Sequence, residues 1–103
     1  FKVLSGLVEE FGTARVIDTP ISEPGFAGIG VGAAMTGMRP VVDIMFGDFI
    51  TLTMDQMVNH AAKWSYMTAG RVKVPVTFRA ICLIQASLGA LVIPPTTTLR
   101  VCK

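Results

Sequence analysis

The sequence predicts an α/β domain, a partial parallel sheet linked by crossover helices, and two observations predict it. Short runs rich in β-branched residues, at 14–17, 40–45 and 74–79, alternate with stretches of helical periodicity. That order of strand, helix, strand, helix, strand is the pattern of a parallel sheet with right-handed crossovers. The run Val41-Val42 adds that the middle strand is covered on both faces.

Taken in order, residues 4–11 place Leu4, Leu7, Val8 and Phe11 on one helical face with Glu9 and Glu10 opposite, and Gly12 stops the helix. The strand at 14–17 follows. Pro20 and Pro24 forbid regular pairing, so residues 18–23 are a loop. Glu23 precedes a proline and is held extended, while Pro24 can open a helix without losing a hydrogen bond. The helix at 24–38 is apolar all round, the pattern of an element buried on every side. Its glycines, Gly28, Gly30 and Gly32, each cost about 1 kcal/mol relative to alanine. Close backbone approach by another helix is the expected offset. Gly37 and Pro40 end it. After the strand at 40–45, a loop through Phe46, Gly47 and Asp48 leads to a long helix at 49–67. Ile50, Met54, Met57, Val58, Ala61 and Trp64 line one side of it, Thr51, Asp55, Asn59 and Lys63 the other, and Gly70 closes it.

A chain of 103 residues makes one domain at most, and a hydrophobic content of 51% suits a domain whose faces are covered by partners. The formal net charge is +2, yet every acidic residue lies at or before Asp55 and only Lys and Arg follow. Those cations are scattered, with only Trp64, Tyr66 and Phe78 to stack bases, which argues against a nucleic-acid surface. Cys82 and Cys102 form no metal or redox spacing, the pattern of a reduced intracellular compartment. The charge-free run at 80–93 falls short of the roughly 20 residues a membrane helix needs, so no membrane span is expected. His60, the sole histidine, has no second ligand type spaced with it and reads as a surface or interface residue, so no metal site is expected. An opening at Phe1 without a signal pattern reads as a fragment.

In a parallel sheet, ligands meet the loops at the carboxyl ends of the strands. Two such loops carry the chemistry here, one with Glu23 and one running from Met45 to Phe49. The plain alternative for Glu23 is a carboxylate favoured at a helix N-terminus. For Met45 and Phe49 it is ordinary core packing. A rival motif is the dinucleotide fingerprint, matched by Gly28, Gly30, Gly32 and Ala33 with Asp48 about 20 residues on. It requires a strand running straight into the first glycine, and Pro20, Ser22 and Pro24 intervene.

The stretch from Val16 to Gly32, above all Glu23 followed by Gly28-Ile29-Gly30-Val31-Gly32, resembles the beta subunit of the thiamine-diphosphate-dependent 2-oxo acid dehydrogenases of the pyruvate, branched-chain and acetoin types. Pro40-Val41-Val42-Asp43-Ile44-Met45, Asp55-Gln56, Ala61-Ala62-Lys63 and Tyr66-Met67 agree with that family in order and spacing. The resemblance implies a pyrimidine-binding domain in which Glu23 is the catalytic glutamate, hydrogen-bonding the aminopyrimidine ring nitrogen and favouring its imino form. It also implies that Met45 lines that ring and Phe49 stacks on it. It implies thiamine diphosphate shared with an alpha subunit that binds the magnesium; no glycine-aspartate-glycine magnesium motif is present, since Gly47-Asp48 runs on to Phe49. The implied partners are the alpha subunit, a second beta subunit and a lipoyl acyltransferase core, in bacterial cytoplasm or mitochondrial matrix.

The resemblance covers residues 1–79, a partial pyrimidine-binding domain, and residues 80–103 read as a divergent and possibly frame-shifted tail. The family's histidine-containing loop is replaced by Ala80-Ile81-Cys82-Leu83-Ile84-Gln85. The expectation is therefore a fragment, inactive alone, of a component that oxidatively decarboxylates pyruvate or a similar 2-oxo acid and passes the acyl group to lipoate. The alternative is a non-catalytic interaction fragment or mistranslated product.

Overall fold

The computed structural model describes residues 4–80 and 97–100. Its elements are α1 (Leu7–Phe11), α2 (Glu23–Met35), β1 (Val41–Ile44), a 3₁₀ segment (Gly47–Thr53), a π-wound segment (Asp55–Ala61), α3 (Trp64–Met67), β2 (Thr77–Ala80) and β3 (Thr97–Arg100). The sheet order is β1-β2-β3. β1 and β2 are parallel, Val41 opposite Thr77 and Ile44 opposite Ala80, and β3 adds an antiparallel edge to β2. The α/β reading with a partial parallel sheet therefore holds. The stretch 81–96, which includes Cys82 and most of the charge-free run, lies outside the described residues, as do residues 101–103 with Cys102.

The core sits where α2 covers one face of the sheet. Ala27, Val31 and Ala34 of α2 meet Val42 and Ile44 of β1, Met57 and Ala61 of the π-wound segment, and Val76 and Phe78 at β2. Ile44 and Phe78 are the largest apolar side chains fully buried, each stabilising by about 1.5–3 kcal/mol. α2 starts as expected of its sequence: the Ser22 carbonyl accepts from the Phe26 amide at 3.0 Å, and Pro24 sits in the first turn, where no amide partner is needed. It ends in a Schellman arrangement, with Met38 N–H donating to Ala33 O at 3.2 Å, Gly37 N–H to Ala34 O at 3.0 Å, and Gly37 at φ 97°.

Several expectations are corrected. The strand at 14–17 is absent: the amides of Arg15 and Val16 both turn back to the Gly12 carbonyl, at 3.1 and 3.0 Å, which removes them from any ladder. The first helix covers only Leu7–Phe11 and buries nothing, leaving Leu4, Val8 and Phe11 exposed. Glu23 is not the last loop residue but the first residue of α2, and that helix stops at Met35 rather than 38. Nor is α2 covered all round. Ala27, Gly30, Val31 and Ala34 form its buried stripe, whereas Gly25, Ile29, Gly32 and Thr36 on the opposite face are exposed. The close approach that offsets Gly30 comes from a strand, since a Cβ there would run into Cγ2 of Val42. β1 is likewise covered on one face only; Val41 is exposed, and Asp43 pairs across the sheet with Arg79, Nη1 to Oδ2 at 3.0 Å. The Oδ1 atom of Asp43 is buried and accepts no bond among the described residues.

The single helix expected at 49–67 is three differently wound pieces. Threonine hydroxyls bond back one tight turn, Thr51 to the Asp48 carbonyl at 3.1 Å and Thr53 to that of Ile50 at 2.8 Å, competing with α-type bonds. Past Thr53 the winding widens, with Ala62 N–H reaching Met57 O at 3.0 Å. A 3₁₀ segment advances about 20° more per residue than an α-helix, so the apolar stripe slips out of phase. Thr53 becomes fully buried, its hydroxyl also donating to Met57 Sδ at 3.3 Å, while Met54 and Val58 are left exposed.

Candidate functional site

The three elements that carry the sequence candidates pack on one another. α2 lies against β1 and against the 3₁₀ segment, and β1 touches that segment in turn. Glu23 is one turn before Ala27 and on the same stripe, so the only carboxylate of α2 heads its buried face. It is half-buried and makes no hydrogen bond or ion pair among the described residues. The helix dipole favours a carboxylate at this end, but nothing in the fold occupies its oxygens. Met45 directly follows the fully buried Ile44 and is 55% exposed. Phe49 directly precedes Ile50, which packs against the core, and is 44% exposed. Neither is the ordinary core residue that the plain alternative supposed.

Sequence reasoning left out Phe46, which it assigned to a loop. Its ring meets that of Phe49 edge to face, centroids 5.9 Å apart and planes at 68°. The signal available was the spacing of two aromatics three apart where a 3₁₀ turn forms. A carboxylate that can exchange a proton, two flat apolar rings and a thioether are the donor set that suits a nitrogen-containing aromatic ring. The chain's own concavity, lined by Met67, Thr68, Ala69, Arg71 and Val72, contains none of these groups.

The rival glycine reading fails on placement. Gly28, Gly30 and Gly32 are inside α2 rather than in a turn before it, and the residues leading to it, 17–22, form no strand. Gly30 faces Val42, and a Cβ on Gly28 would touch the Gln56 side chain at 3.5 Å. His60 is not isolated: its Nδ1 accepts from Trp64 Nε1 at 3.2 Å and its Nε2 lies 3.4 Å from Asp55 Oδ2. Among the described residues no group of three or more His, Cys, Asp or Glu could hold a metal ion, and no helix is long and apolar enough to cross a membrane.

Comparison with known proteins decides the family. The profile described as "Transketolase, pyrimidine binding domain" matches residues 1–87. The chain belongs to this family. It is 54% identical over 79 residues to the pyruvate dehydrogenase E1 component subunit beta of Rhizobium meliloti, covering 77% of this chain and 17% of that one. The mitochondrial counterpart from Pisum sativum is 49% identical over 90 residues, 87% of this chain and 25% of the relative. The subunit beta of the acetoin:2,6-dichlorophenolindophenol oxidoreductase of Bacillus subtilis is 52% identical over 77 residues, 75% of this chain and 22% of the relative. The chain thus spans a quarter or less of the curated relatives it matches, each named as a subunit of a larger enzyme.

Proposed function

We propose that this chain is part of the beta subunit of a 2-oxo acid dehydrogenase decarboxylase component and contributes the pyrimidine half of a thiamine diphosphate site. The observation that carries the reading is Glu23, a half-buried carboxylate without a partner in its own fold, heading the buried stripe of α2 beside the segment that bears Phe46 and Phe49. When bound, thiamine diphosphate supplies the electron sink for decarboxylating pyruvate or a similar 2-oxo acid. Glu23 holds and exchanges a proton at its carboxylate with a ring nitrogen, a role worth roughly 10²–10⁴ in rate. Phe49 offers a ring face and Met45 a polarisable thioether to the same flat group.

An alpha subunit would supply the magnesium and diphosphate half, and the acyl group would pass to lipoate on an acyltransferase core. The exposed face of α2, with Gly25, Ile29 at 64% exposure, Gly32 and Thr36, suits burial against a second beta subunit. Bacterial cytoplasm or the mitochondrial matrix is the setting that fits, since the relatives include bacterial and mitochondrial proteins. Residues 80–103 are proposed to be a divergent ending.

Mixing the chain with a matching alpha subunit and titrating thiamine diphosphate and magnesium by calorimetry tests the reading. Binding by the mixture and by neither chain alone is expected. A chain that associates with no alpha subunit, or associates without binding cofactor, is a non-catalytic fragment.

A further inference from the structure

The tight winding at Gly47–Thr53 gives Phe46 a role that its loop-like sequence context hides. In a 3₁₀ turn, residues i and i+3 eclipse one another, whereas in an α-helix they are offset by about 60° around the axis. Phe46 enters the turn in extended conformation, φ −122° and ψ 123°, and its carbonyl accepts the Phe49 amide at 3.1 Å. That bond closes the turn and sets the two side chains one above the other. Their rings then meet at 5.9 Å and 68°, the edge-to-face arrangement that the ring quadrupoles favour. Burial does not explain the pair, because the two residues are 42% and 44% exposed.

We infer that Phe46 is a positioning residue for Phe49, fixing the ring through an i, i+3 edge-to-face contact built by the 3₁₀ turn, so that Phe49 is already posed when a flat heteroaromatic ring arrives. The inference rests on the reading above, in which that ring is the aminopyrimidine. A half-exposed phenylalanine otherwise samples several rotamers, and ordering it on binding would weaken affinity. Phe46 removes that loss in advance without touching the ligand.

The test uses the full chain in its complex with the alpha subunit and measures thiamine diphosphate affinity for four variants. Phe46→Leu is expected to weaken binding roughly 3–10-fold, and Phe46→Tyr, which keeps the ring edge, to bind as the unmodified chain does. In a Phe49→Leu background, Phe46→Leu is expected to add no further loss, because nothing remains to be positioned. A cofactor-free readout accompanies this: ring-proton shifts of Phe49 in the chain alone move in Phe46→Leu and stay in Phe46→Tyr. Absence of cofactor binding by the unmodified complex overturns the functional reading and this inference with it. Binding by that complex with Phe46→Leu unchanged overturns the inference alone. Equal losses in Phe46→Tyr and Phe46→Leu, or an additive loss in the Phe49→Leu background, also overturn it, since either marks general packing rather than positioning.

Discussion

Alanine at Gly30 and alanine at Gly32 should shift stability in opposite directions, although the two glycines are neighbours in one helix. Gly32 is exposed and a Cβ there meets nothing within 4 Å. Gly32→Ala therefore keeps only the propensity gain, about 0.5–1 kcal/mol in favour of the folded state. Gly30 is buried, and its added Cβ would collide with Cγ2 of Val42 and lie 3.9 Å from Cγ2 of Val76. Val42 and Val76 are 6% and 5% exposed, so neither has space to turn away, and β-branched side chains have few alternative rotamers. Overpacking of this kind costs typically 1–3 kcal/mol. Set against the propensity gain, Gly30→Ala should lower stability by about 1–2 kcal/mol. Adding Val42→Ala removes the colliding methyl, so the double variant should lose less than the two single losses summed. Urea unfolding followed by the single tryptophan, Trp64, reads all four chains. Equal stability of Gly30→Ala and Gly32→Ala, or additive losses in the double variant, would refute the claim that α2 needs glycine for its approach to β1.

Two further outcomes follow from geometry. Asp43 and Arg79 face each other in register, with side chains only 20% and 27% exposed, so Asp43→Asn and Arg79→Gln should each cost about 1–2 kcal/mol. Their cycle should show a coupling that strict additivity in denaturant melts would exclude. Ala69 closes α3 in the left-handed region at φ 52°, with its amide on the Tyr66 carbonyl at 3.0 Å and that of Gly70 on Ser65 at 2.7 Å. Glycine is the residue suited to that position, so Ala69→Gly should stabilise by about 0.5–1 kcal/mol and Gly70→Ala, at φ 78°, should destabilise; an unchanged or lowered melting temperature for Ala69→Gly contradicts this.

The parts of the fold legible in the sequence were those fixed by local chemistry. Pro24 and Gly37 mark α2 to within a few residues because each acts on its own backbone. β1 and β2 were legible from apolar runs that the chain itself pairs. The strand at 14–17 was not, because a ladder needs a neighbour, and Gly12 offered the Arg15 and Val16 amides a nearer carbonyl. Burial of α2 was overread for a related reason: apolar composition records every surface that is covered in the working assembly, and this chain covers only the stripe through Ala27 and Ala34. The winding of 47–61 was hidden because Thr51 and Thr53 look like ordinary polar and apolar positions of an α-helix until their hydroxyls bond back. That slip is also why Phe46 went unnoticed while Phe49, three residues on, was singled out. At the site, Glu23 stood out through its charge in an apolar context, and its register with Ala27 required the helix to begin one residue earlier than Pro24 suggested.

The carboxylate of Glu23 is the group on which the functional account turns. In the complex with an alpha subunit, Glu23→Gln keeps the size and the helix start but cannot take up a proton. Turnover of the 2-oxo acid should fall roughly 10²–10⁴-fold, with association and unfolding midpoint unchanged. A Glu23→Gln complex that turns over at the rate of the unmodified one would contradict the account.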